Sequence, residues 1–138
     1  VTFLKMKRPK SFDYHSGQWI RIALPEGWFS FDIKEEFSKF SVSKWEFHPF
    51  TLTSCPADDF ISCHVRAVGP WTISLREYLK KVRAGQLPVP RMYVDGPIGE
   101  GHQNWHKFEC SVLVGAGIGI TPFASILKDI VGRLESFK

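Results

Sequence analysis

Cysteine is scarce in this chain, with three residues, Cys55, Cys63 and Cys110, in an odd count and without a C-x-x-C pair. That excludes a disulfide framework and a cysteine-based zinc site, and it points to a reducing, cytosolic setting. The histidines at His102 and His106, either side of Trp105, lack the spacing of a helical metal motif, so no metal centre is expected. Long runs of one charge are also missing. The net charge of +4 comes from scattered residues and two short clusters, Lys5-Lys7-Arg8-Lys10 and Lys80-Lys81-Arg83. No aromatics interleave with a basic stripe, which argues against nucleic acid and leaves an anionic cofactor or an acidic membrane surface as partners of that charge. The longest stretch without a charged residue, Cys110 to Leu127, is broken by Gly115, Gly117, Gly119 and Pro122, so a transmembrane helix is rejected there. No secretory signal opens the chain, and it starts without methionine directly in strand-like sequence, as expected of a piece of a longer protein. What is present is enough for one folded unit: 138 residues, 43% hydrophobic and 14% aromatic, can bury a real core.

Period-two alternation marks the strands. Residues 1 to 8 alternate loosely and stop at Pro9. After the turn at His15-Ser16-Gly17, Ile20, Ile22 and Leu24 share one face of a second strand. Between residues 26 and 46 the pattern changes: Phe29, Ile33, Phe37 and Phe40 recur at helical spacing around Lys34-Glu35-Glu36. This predicts a partly helical insertion packed on the domain, with a partner-binding or lipid-facing amphipathic segment as the alternative. Phe60 to Val68 is a further strand, placing Ile61, Cys63, Val65 and Ala67 on one face and Ser62, His64 and Arg66 on the other. A helix follows Gly69-Pro70-Trp71-Thr72, with Thr72 as N-cap, an apolar stripe of Leu75, Tyr78, Leu79 and Val82, and Gly85 at its C-terminal cap. Arg91 to Asp95 is read as a short strand and Gly96 to Gly99 as a turn.

Two stretches carry chemistry. His48-Pro49-Phe50-Thr51-Leu52-Thr53-Ser54 puts an imidazole, an aromatic ring and three hydroxyls on one short strand, able to face a planar ligand; taken alone it reads first as an ordinary half-buried strand. Arg66 is either an ion-pair partner or an anion ligand, since its planar fork suits a phosphate. It stands close in sequence to the start of the Thr72 helix, whose N–H groups favour the same charge, although simple capping explains that start too. The second stretch is the apolar run Cys110-Ser111-Val112-Leu113-Val114, then Gly115 to Pro122, then a helix with Phe123, Ile126, Leu127, Ile130, Val131 and Leu134 at 3.6-residue period. Thr121 is placed at its N-cap and Pro122 at its first position. Strand, glycine loop and helix form the first half of a nucleotide-binding βαβ unit. The loop reads GxGxGxxP, which departs from both GxGxxG and the Walker P-loop.

His48 to Ser54, His64-Val65-Arg66, Gly69 to Thr72, Asp95-Gly96-Pro97 and Gly115 to Ser125, in this order, resemble the dehydrogenase region of the NADPH oxidases, within the ferredoxin-NADP reductase superfamily. The run from Asp95 to Glu109 is similar to that of the dual oxidase branch. The resemblance covers the chain except Pro25 to Phe47, where that family has a much shorter connection.

It implies a β-barrel plus α/β fold: a six-stranded antiparallel FAD-binding barrel with one helix over residues 1–106, followed by the first β-α unit of a truncated parallel-sheet nicotinamide-binding half over 107–138. It also implies an FAD site of His48, Pro49, Phe50, Thr51, His64, Arg66, Gly69, Trp71 and Thr72. Phe50 would stack on the isoalloxazine, Thr51 would bond near its reactive nitrogen, and Arg66 with the Gly69 to Thr72 turn would hold the diphosphate. His48 stands where related reductases carry an arginine. NADPH would meet Gly115, Gly117, Gly119, Thr121 and Pro122. The implied parent is an integral membrane protein. This region would lie on its cytosolic face and pass electrons to haems that reduce oxygen to superoxide or hydrogen peroxide. No side chain is expected to act as acid or base, and the isolated chain is not expected to sustain turnover. The alternatives are a ferric reductase or soluble flavin reductase of the same superfamily, or a non-catalytic interaction module.

Overall fold

A computed structural model describes residues 1–25, 46–99 and 103–136; residues 26–45 of the insertion expected over 26–46, and His102, lie outside them. Five strands and two α-helices occur among these residues: β1 (Thr2–Lys7), β2 (Trp19–Ala23), β3 (His48–Thr51), β4 (Phe60–Val65), α1 (Pro70–Arg83), β5 (Tyr93–Ile98) and α2 (Thr121–Glu135). β1 pairs antiparallel with β4, and β2 lies between β3 and β5 in a second antiparallel sheet. A single bridge, Leu52 to Cys63, and the bond from Thr53 N–H to the Ser62 carbonyl join the two sheets where β3 runs out beside β4. The architecture is therefore antiparallel sheets with few helices; no closed sheet occurs among the described residues.

Alternation explains which residues enter the core. On β2, Ile20 and Ile22 are fully buried and Arg21 between them is exposed, pairing its guanidinium with Asp95 on β5. On β4, Ile61, Cys63 and Val65 point inward as expected, and so does part of the opposite face, because Ser62 is also buried. Trp71, Leu75 and Tyr78 of α1 complete this core, with Leu79 and Val82 packed on its edge. Burial of each large apolar side chain contributes roughly 1.5–3 kcal/mol.

Several local expectations change. α1 begins one turn earlier than its Thr72 suggests: Gly69 is the N-cap, and Thr72, at the third helical position, reaches back to accept from the N–H groups of Val68 and Gly69. A hydroxyl at that position satisfies the turn from inside the helix, as a capping-box residue does. Gly85, at φ +73°, ends the helix as predicted. β5 does not stop at Asp95 but runs through Pro97 to Ile98. Its pairing with β2 slips between Trp19 and Arg21, and Gly96 (φ +137°) lies against Trp19 and Ile20 there. An irregularity of this kind absorbs the glycine and the proline without ending the strand.

The largest departure is at Cys110–Val114, which forms no strand; residues 111–120 are all exposed, and a 3-10 turn spans Gly117–Ile120. A parallel strand owes its stability to neighbours on both sides and to cover on both faces, and no strand pairs with this run among the described residues. The helix after it forms, but Thr121 is its first residue, with Ile120 at the N-cap, and the Thr121 hydroxyl donates to the Ile118 carbonyl. Of its apolar stripe only Ile126 is buried, whereas Leu127, Val131 and Leu134 face outward. The buried face is instead polar: Thr121, Ser125 and Asp129. No described helix is long and apolar enough to cross a membrane.

Candidate functional site

β3 and the start of α1 meet through aromatic rings. The indole of Trp71, near the start of α1, lies 4.3 Å from the His48 ring and 5.8 Å, stacked, from the Phe50 ring. Trp71 is buried, while His48, Phe50 and Thr51 are half-buried and Pro49 is exposed. The expected contact residue Trp71 is thus a wall of the core behind the strand: an indole large enough to pin both His48 and Phe50 from one side while they keep partial access to solvent. Stacks of this kind contribute about 0.5–1.5 kcal/mol beyond area burial.

The polar groups around this stack fall into two sets. Some are already engaged. The Thr72 hydroxyl accepts from Val68 and Gly69 and donates to the Gly69 carbonyl, so it shapes the Gly69–Thr72 turn. His64 Nδ1 lies 2.9 Å from the Thr53 hydroxyl and its ring packs 4.8 Å from Phe3. Others are available. Arg66, just beyond β4, is exposed and makes no hydrogen bond or ion pair among the described residues. His48 Nε2 lies 3.0 Å from Glu46 Oε1, but the pair misses hydrogen-bond geometry, so this buried nitrogen is left without a hydrogen-bond partner. A buried ring nitrogen with nothing to bond costs free energy. A half-buried aromatic strand laid against a helix start provides a flat surface, and Arg66, exposed and without a partner among the described residues, precedes that helix by four residues.

The second group of expected residues is separate in character. Gly115, Gly117 and Gly119 lie in exposed chain before α2, with Gly117 at φ +56°, Pro122 half-buried and Thr121 buried. A Cβ at Gly115 would come within 3.1 Å of the Phe123 ring, so that glycine lets the loop close on its own helix. Of the expected FAD residues, the structure brings His48, Phe50 and Trp71 into ring contact where β3 meets the start of α1, while His64 is turned to Thr53 and Phe3; it also tethers the helix behind the glycine loop to the same sheet by links the sequence did not announce. Ser125 Oγ donates to the Ser54 carbonyl at 2.6 Å, and Ser16 Oγ donates to Asp129 at 3.0 Å. The Ser54 hydroxyl in turn accepts from the Ser62 N–H and lies 2.9 Å from the Tyr14 hydroxyl, which is 2.7 Å from the Cys55 carbonyl. Burial pushes the Tyr14 phenol up to about 12, against the opposing pull of its Ser54 hydrogen bond. Burial likewise pushes the Cys63 thiol up to about 12, so it is an inert core group rather than a nucleophile. No group of histidine, cysteine and acidic residues among the described residues could hold a metal ion.

Antiparallel sheets with an aromatic strand laid against a helix start are the framework of this chain. The chain belongs to the FAD-binding domain family, whose model matches residues 1–102. It is 55% identical over 132 residues to dual oxidase 2 of Rattus norvegicus and 53% identical over 132 residues to dual oxidase 2 of Homo sapiens. It is also 41% identical over 131 residues to the dual oxidase of Drosophila melanogaster. Each alignment takes in 95% of this chain and 8% of the relative, so the chain spans about a twelfth of the length of the curated relatives it matches. The likeness to NADPH oxidases, and to their dual oxidase branch, that the motifs carry is borne out by these relatives.

Proposed function

We propose that this chain is the FAD-holding part of the dehydrogenase region of a dual oxidase. In this reading residues 1–106 form the flavin-binding portion, as part of a six-stranded barrel, and 107–138 begin the nicotinamide-binding portion. The observation that carries it is the ring stack of His48, Phe50 and Trp71, which sets β3 against the start of α1. The residues present fit the cofactor: the buried His48 Nε2 lacks a hydrogen-bond partner, Phe50 keeps an accessible side, and Arg66 has no partner among the described residues.

FAD, when bound, supplies the ability to accept a hydride from NADPH and to release electrons singly. The chain's part is to bind and orient. Phe50, backed by Trp71, offers its ring to the isoalloxazine, and Thr51 follows on the same strand. Arg66 and the Gly69–Thr72 turn would hold the diphosphate, and His48, standing where related reductases carry an arginine, would be a further contact to it. Gly115 to Pro122 receive the NADPH diphosphate. In the longer protein the electrons would pass to haems of a membrane domain of the same polypeptide, at its cytosolic face, and reduce oxygen to superoxide or hydrogen peroxide. No side chain is assigned as an acid or base.

Reconstitution tests the reading. The purified chain, mixed with FAD and desalted, is expected to retain a flavin absorbance band that falls on Phe50→Ala or Arg66→Ala, while far-ultraviolet dichroism stays unchanged. Folded protein that keeps no flavin would overturn it.

A further inference from the structure

The face by which α2 meets the sheets is unusual in what it buries. Ile126 is its one buried apolar residue, and around it Ser125 is fully buried and Asp129 nearly so. One buried isoleucine is little for a helix of 15 residues carrying three large apolar groups on its outer side. The attachment therefore rests heavily on two polar links. Ser125 Oγ reaches the carbonyl of Ser54, three residues beyond the end of β3. Asp129 accepts from Ser16, in the turn that leads into β2, and is itself held from the solvent side by Arg133 at 3.0 and 3.1 Å. Ser54 is also tied into β4 by the Ser62 N–H. A seam of directional bonds fixes register and angle in a way that one isoleucine cannot.

From this we infer that Ser125 and Asp129 are positioning residues: they latch the helix behind the glycine loop to the segment that follows the flavin strand β3 and to the turn that leads into its sheet neighbour β2, so that loop and strand move as one body. The inference deepens the proposed function, since its purpose depends on β3 being the flavin seat, but the latch itself can be tested without flavin.

The test is hydrogen exchange on the 138-residue chain, with and without FAD. In the apo chain, Ser125→Ala and Asp129→Leu are expected to speed exchange of the 121–135 segment about tenfold each, the size expected for one buried hydrogen bond, and to leave β1 and β4 unchanged. Asp129→Asn, which keeps an oxygen for Ser16, is expected to restore most of the protection. Adding FAD is expected to slow exchange of 121–135 in the unaltered chain and not in Ser125→Ala. Equal exchange of 121–135 in all variants, or no effect of bound FAD on that segment in the unaltered chain, overturns the latch. Failure of FAD to bind at all counts against the flavin reading alone, because the apo comparison still decides whether the two links hold the helix.

Discussion

The buried phenol of Tyr14 makes alkaline stability a sharp test of the core. It has one proton to give; the Cys55 carbonyl can only accept, so the phenol donates there, and the Ser54 hydroxyl, already taking the Ser62 N–H, donates to the phenol. Ionised, Tyr14 would lose its own donor bond inside the protein. Its pKa is raised from 10.0 to about 12, and that of Cys63 from 9.0 to about 12. Both groups hold their protons in the fold at pH values where the unfolded chain has released them, so stability is full below about pH 9 and falls as pH rises. At about 1.4 kcal/mol per pH unit and group, Cys63 removes about 4 kcal/mol and Tyr14 about 3 kcal/mol by pH 12, together comparable to the stability of a small domain. Urea unfolding followed by tryptophan fluorescence from about pH 8 to about pH 11.5 reads the slope directly. Above about pH 10 the unaltered chain is expected to lose about 3 kcal/mol per pH unit from these two groups, and Tyr14→Phe only about half of that. The variant starts about 1–3 kcal/mol less stable, because the Cys55 carbonyl loses its partner. Other ionisable groups are common to both proteins and cancel in the comparison. Equal slopes above pH 10 would refute the assignment of a buried, protonated phenol.

Trp71→Ala is expected to cost about 3–5 kcal/mol in urea unfolding, and to weaken FAD binding as well, since Phe50 loses the ring behind it; unchanged stability would show that the indole is not part of the core. Arg66→Lys keeps the charge but not the fork, so flavin titration is expected to give about tenfold weaker binding than arginine; full recovery by lysine would reduce the role of Arg66 to a point charge. Gly96→Ala places a Cβ 3.2 Å from Ile20 Cγ2 and 3.3 Å from the Trp19 carbonyl oxygen at φ +137°, and is expected to lower stability by about 1–3 kcal/mol, read as a shift in urea midpoint at constant slope.

What the sequence announces here follows the reach of its signals. Alternation at Ile20-Ile22 and Ile61-Cys63-Val65 marks strands because each depends on one buried face, which a local pattern records. The helix of Leu75 and Tyr78 is equally plain. Trp71 is harder: the family resemblance makes it a ligand residue, and it takes the meeting of α1 with β3 to show that it is also a core wall. α2 is read inside out for a related reason. Its apolar stripe is real, but the polar side faces the sheets, and Asp129 looks like a solvent charge until Ser16, far away in sequence, is found against it. A clue was available in the i, i+4 pair with Arg133, which satisfies the carboxylate locally. Cys110 to Val114 has the composition of a parallel strand, yet a strand is a property of a pair and not of a segment.

The pairing of β2 with β3 has a consequence for how the chain tolerates change. From Leu24 to Phe47, 24 residues separate two strands that are neighbours in one sheet. The entropy lost in closing a connection grows only with the logarithm of its length, so a link four times shorter would gain about 1.2 kcal/mol and no more. Growth at this point is therefore nearly neutral for folding, even though the next residue, His48, opens the strand on which the cofactor reading rests. Evolution can lengthen the chain there while the register of Ile20 against Phe50 stays as it is.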